Sequence, residues 1–67
     1  MFVTFNTVNG GRVSLRSYAI TYLFEPDTNE TGIVYKIDGD KEVREIMVSH
    51  PIQEVVDAIN MVERAGS

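Results

Sequence analysis

The chain has 67 residues, no cysteine and a formal net charge of −4. That is one small domain, 1–67, which buries only about 60% of its unfolded surface and has no disulfide or thiolate–metal staple to support it. The acidic balance excludes non-specific binding to duplex DNA or to anionic membrane, both of which need a positive field.

The opening MFVTFNTVNG has no basic n-region and no apolar run, and no segment approaches the roughly 18 apolar residues of a membrane span. No secretory leader and a cytoplasmic compartment are expected. Residues 2–8 are rich in Phe, Val and Thr, the composition of a strand. Asn9-Gly10-Gly11 follows, a hairpin signal because Asn and Gly tolerate positive φ. Residues 12–24 return to alternating Val, Leu, Tyr, Ile and Phe and read as a second strand. A two-residue loop would set Thr4 opposite Leu15. A three-residue loop with Gly11 at the left-handed bulge position sets Phe5 opposite Leu15 and Thr7 opposite Val13. The second gathers Val3, Phe5, Val13 and Leu15 on one apolar face, and a one-residue slip would swap the faces, so the pattern favours it.

Phe2, Thr4, Asn6, Arg12, Ser14, Arg16 and Tyr18 then share the opposite face, with Thr4 beside Arg16 and Asn6 beside Ser14. Tyr22 or Phe24 would join them if the strand continues. Glu25–Glu30 reads as a polar loop around Pro26. Ile33–Ile37 is a third strand, Asp38-Gly39 a second hairpin turn, and Val43–Val48 a fourth strand whose register the apolar pattern leaves open. After Ser49-His50-Pro51 the period changes. Ile52, Val55, Val56, Ile59 and Val62 form one helical stripe, with Gln53, Glu54, Asp57, Asn60 and Glu63 opposite. Pro51 suits a first helical turn, Ser49 or His50 the N-cap, and Gly66 the stop. The expected fold is α+β: a four-stranded antiparallel β-meander followed by one C-terminal amphipathic helix packed on the sheet.

One helix covers one face of such a sheet, and the other face is left for solvent, a partner or a ligand. Its Arg12-Ser14-Arg16-Tyr18 ladder, with Phe2, is the candidate ligand-binding or interface site. Arginines beside exposed aromatics are enriched at interfaces. Two guanidiniums could hold a phosphate or carboxylate while Tyr18 or Phe2 stacks a ring. The plain alternative is a polar outer face whose arginines pair with acids such as Glu25 or Glu45.

Catalysis has little to build on. His50 is the lone histidine, and its neighbour Ser49 is adjacent in sequence, which does not produce nucleophile–base geometry. Asp38, Asp40 and Glu42 alternate as in part of a calcium loop but lack the remaining ligands. No glycine pattern matches a phosphate-binding loop. No enzyme activity, cofactor or metal is expected.

Val8-Asn9-Gly10, Ile37-Asp38-Gly39, and Val48-Ser49 with Gln53-Glu54-Val55-Val56-Asp57-Ala58-Ile59 resemble the FlbD-like proteins linked to flagella and swarming motility. The resemblance spans most of the chain and implies strands, Asn-Gly-type turns and a helix opened by Ser. It supplies no catalytic residues, and Arg12–Tyr18 and Glu25–Gly32 depart from it. The expected function is a non-enzymatic, homo-oligomeric protein-interaction module, in this resemblance a motility accessory factor. The alternative is a phage or bacterial sponge that sequesters an anionic, nucleotide-type signal at a protomer interface. There Arg12 and Arg16 would clamp phosphate, and two protomers would bring four arginines together.

Overall fold

The computed structural model describes residues 1–66 and is a small α+β fold. Its elements are β1 (Phe2–Asn6), β2 (Arg12–Arg16), a 3-10 turn (Ser17–Ala19), β3 (Ile20–Asp27), β4 (Glu30–Tyr35), β5 (Arg44–Val48) and α1 (Ile52–Gly66). The strands form two antiparallel sheets, β1-β2 and β3-β4-β5, rather than one four-stranded meander. Among the described residues no helix is long and apolar enough to cross a membrane.

The expected second strand splits because one pleat cannot satisfy its core residues. Leu15 is buried and Ile20 packs on the core, five positions apart, whereas a continuous strand returns to the same face every two. The 3-10 turn between them restores the inward aim and starts a new strand in a different sheet. The Glu25–Glu30 loop is also replaced. Glu25, Pro26 and Asp27 finish β3, Thr28-Asn29 make the turn, and Asp27 pairs with Glu30. Pro26 is tolerated because β3 is an edge strand and its ladder shifts register between Phe24 and Asp27.

In the first hairpin the faces are as expected, but the register differs by two residues. Val3 pairs with Leu15, Phe5 with Val13, Thr4 with Ser14 and Phe2 with Arg16. The three-residue loop is Val8-Asn9-Gly10, with Gly10, not Gly11, at φ +93°. The Thr7 N–H donates to the Gly11 carbonyl at 2.9 Å, and the Gly11 N–H donates to the Thr7 hydroxyl at 3.0 Å. Thr7 thus recruits Gly11 into the flanking pair and moves the loop back by one residue.

The second connection is longer than a hairpin turn. Tyr35 pairs with Arg44, so residues 36–43 lie between the strands, and the expected strand residue Ile37 falls outside β4. The Asp38-Gly39 turn does form inside this loop, closed by the Asp40 N–H on the Ile37 carbonyl. The β4 residues Thr31, Gly32, Ile33 and Val34 are all buried. The Phe24 ring lies across from Gly32, and a Cβ there would collide with it.

The two sheets are stitched where β1 ends. Thr7 bridges to Val48, the Val8 N–H donates to the Met47 carbonyl, and the Ser49 N–H donates to the Asn6 carbonyl. The spatial order therefore runs β2-β1-β5-β4-β3. Helix α1 packs on β1, β3, β4 and the 3-10 turn. The expected stripe faces inward: Val55 is fully buried, and Ile59 and Val62 pack on the core of Val3, Phe5, Leu15, Ile33 and Val48.

The helix start is built differently from the expected Ser49 or His50 cap. The Pro51 carbonyl accepts the first turn's N–H groups, from Glu54 and Val55. The orphan Ile52 N–H donates to the Glu25 carboxylate at 2.9 Å, so the cap comes from β3 across the fold. Ser49 is turned away, its hydroxyl 3.4 Å from the Asn6 carbonyl.

Candidate functional site

Alternation along β1 and β2 sends Phe2, Thr4, Arg12, Ser14 and Arg16 outward, and all five are exposed. The 3-10 turn that ends β2 leaves Tyr18 beside Arg16. The Arg16 guanidinium lies 4.8 Å from the centre of the Phe2 ring and 6.0 Å from that of Tyr18. Each such cation–π contact is worth about 0.5–1 kcal/mol at an exposed site, enough to bias the side chain's position. Phe2 and Tyr18 nevertheless stay 57% and 61% exposed, an aromatic surface that the fold itself leaves uncovered.

Ser14 is committed to its cross-strand neighbour, its hydroxyl 2.7 Å from that of Thr4. Arg12 stands across from Asn6 at the far end of the strand, four residues from Arg16. That is about 13 Å along the backbone, so the two guanidiniums start from well-separated roots. Among the described residues neither arginine makes an ion pair. The acids named as partners are elsewhere: Glu25 caps the helix, and Glu45 lies on β5 opposite Val34. The ion pair Arg44–Asp40, at 3.1 Å, belongs to the β4–β5 loop.

Phe2, Arg16 and Tyr18 also border a groove of about 360 Å³. Val13 and Leu15 of β2 line it together with Tyr35, Ile37 and Asp38. Ile37 is 49% exposed there. The sequence reading did not place residues 35–38 at the site. They are far away in the chain, and Asp38 stood out there only as a turn residue and as part of an incomplete calcium-loop pattern. Tyr22 and Phe24, in contrast, do not extend the ladder. They lie in the other sheet with ring centres 6.5 Å apart.

His50 is a structural joint. Its Nε2 accepts the Asn6 backbone N–H at 3.1 Å, and a backbone N–H can only donate. The neutral ring therefore carries its proton on Nδ1, which donates to the Glu54 carboxylate at 3.0 Å. The His50 carbonyl accepts the hydroxyl of the fully buried Thr31 at 2.7 Å. Both ring nitrogens are engaged, and the Ser49 hydroxyl is directed at Asn6 instead. Among the described residues no three His, Cys, Asp or Glu side chains are grouped to hold a metal ion.

No family model, curated protein or solved structure matches the chain.

Proposed function

We propose that the protein is a non-enzymatic protein-interaction module that binds through the outer face of β2. The observation that carries this reading is the Phe2–Arg16–Tyr18 cluster. It is an arginine that makes no ion pair among the described residues, held between two exposed rings at the rim of an apolar groove. Aromatic and arginine side chains of this kind dominate the energetics of protein interfaces. Arg12 and Ser14 extend the same surface along the strand. A motility accessory role, as the FlbD-like resemblance implies, is compatible with such a module.

The sequestering alternative draws on the groove, whose volume falls in the range of small-ligand sites, about 300–1,000 Å³. The backbones of Arg12 and Arg16, about 13 Å apart, weigh against a single-protomer phosphate clamp, and a symmetric dimer would be needed to complete one.

Two measurements decide between them. Native mass spectrometry of the purified protein reads its stoichiometry and any carried small molecule. A retained small-molecule mass that is lost in Arg16→Glu overturns the module reading. The second is a photo-crosslinking amino acid in place of Tyr18, activated in the cells that produce the protein. A discrete protein adduct that Arg16→Glu abolishes is the expected result.

A further inference from the structure

The four edges of the two sheets are treated unequally. The outer edge of β1 meets β5 and the His50 ring at its Asn6 end, which leaves only Phe2 and Thr4 along it. The outer edge of β5 is met at its end by β1, through the Thr7–Val48 bridge and the Val8 N–H on the Met47 carbonyl. The outer edge of β3 carries Pro26 and two register shifts, which spoil it as a template. Strand β2 is regular over five residues, has no proline or bulge, and among the described residues pairs only with β1.

The hydrogen-bond phase shows which groups that edge presents. Thr7 and Gly11 share a ladder bond, as do Met1 and Ser17. Antiparallel pairs alternate between bonded and non-bonded, so the odd residues of β2 bond to β1. The N–H and C=O groups of Arg12, Ser14 and Arg16 therefore point away from β1, and among the described residues no backbone or side-chain group bonds to them.

We infer that this edge accepts an extended peptide segment as an added antiparallel strand, acidic on one face and apolar on the other. This rests on the module reading and names the partner's chemistry. A strand laid beside β2 would place alternate side chains next to Arg12, Ser14 and Arg16 on the outer face. Acids at the two ends meet the guanidiniums, which have no ion pair among the described residues, and a small hydroxyl meets Ser14. The intervening side chains enter the groove beside Val13, Leu15 and Ile37, where apolar groups fit. Asp38, among the described residues the one acid lining that groove, opposes an acid on the inner face. The fitting pattern is acid–apolar–hydroxyl–apolar–acid. Main-chain bonds give such a complex its geometry, and the alternate side chains give its specificity.

A second copy of this chain fits the same edge poorly. The antiparallel register that overlaps all five residues of β2 sets Arg12 directly opposite Arg16 of the other copy, twice. Like charges at opposed positions destabilise a strand pair. The arginines thus repel self-pairing and admit the opposite charge.

The probe is the peptide acetyl-Gly-Glu-Val-Thr-Val-Glu-Gly-amide, titrated into the protein and followed by amide NMR. Binding should slow hydrogen exchange at the Arg12, Ser14 and Arg16 amides by about tenfold at saturation. N-methylation at the peptide's Thr should abolish this. A peptide with Lys for both Glu should bind about tenfold more weakly, and the double variant Arg12→Glu/Arg16→Glu should reverse that preference. Ser14→Pro removes one outward N–H while leaving the β1 ladder bonds intact, and should lose binding with the fold retained. Where that variant fails to fold, the charge reversal still decides.

Three results overturn the inference. One is the absence of saturable binding by the acidic peptide, which would make Arg12 and Arg16 guards against self-pairing only. Another is binding that moves Phe2 and Tyr18 resonances without protecting the three amides. The third is concentration-dependent protection of those amides in the free protein, which would put a second copy on the edge. A surviving crosslink at position 18 beside any of these would leave the module reading standing and remove only strand addition.

Discussion

The β1-β2 hairpin and the β3-β4-β5 sheet are built from similar residues but spend them differently. In the three-stranded sheet, β4 is flanked on both sides, and Thr31, Gly32, Ile33 and Val34 are all buried. Its outer strand β3 carries two register shifts and a proline, and is tied to the helix through Glu25. In the hairpin only Val3, Phe5 and Leu15 are buried, and the alternate residues are exposed along a straight free edge. The difference teaches a division of labour. One sheet supplies the stability that a 67-residue chain must extract from few side chains. The other uses that support to hold a charged and aromatic surface in a fixed geometry.

Breaking the stable half should cost most. Ile33 is fully buried at the centre of the core. Ile33→Ala should destabilise by about 3 kcal/mol, from lost burial plus the residual cavity. That is a large share of the roughly 3–10 kcal/mol expected for a domain of this size. Urea denaturation measures it, and a loss under about 1 kcal/mol would mean that the core sits elsewhere.

The tie between the halves of the fold comes next. Glu25→Ala removes the acceptor of the Ile52 N–H and a negative charge at the helix start. The expected cost is about 1 kcal/mol, with fraying confined to the first turn of α1. Hydrogen exchange at residues 52–55 reports it. Unchanged protection there would show that water satisfies the N–H equally well.

The smallest stability effect belongs to the exposed cluster. Phe2→Ala should shift stability by no more than about 0.5 kcal/mol, since the ring is mostly in solvent. It should still weaken partner binding, because it releases the Arg16 guanidinium. A loss comparable to that of Ile33→Ala would erase the distinction between the two sheets and make Phe2 a core residue.

Particular residues show how far the chain could be read in one dimension. The face assignment of Val3, Phe5, Val13 and Leu15 was legible because alternation is a local property of extended backbone. The helix stripe was legible for the same reason at period 3.6. The two-residue register difference was not, because it turns on a Thr7 hydroxyl choosing between neighbouring glycines. The break at Ser17–Ala19 left one trace, the five-residue interval from Leu15 to Ile20, which a single pleat cannot span. Arg12, Ser14, Arg16, Tyr18 and Phe2 were identifiable as one exposed group, but their groove-side neighbours Tyr35, Ile37 and Asp38 carried no local signal.

By itself the sequence determined what short-range physics controls: which side chains share a face, that turns form around Asn9-Gly10 and Asp38-Gly39, where the helical period begins, and that the surplus charge is acidic while the first hairpin holds two arginines. The tertiary structure alone decided which strand edges are covered, that Glu25 caps a helix 27 positions away, and that β2 is left open beside residues 35–38. The reason is one of range. Alternation and helical period act between residues a few positions apart, whereas edge coverage depends on how the packed core folds distant segments over one another.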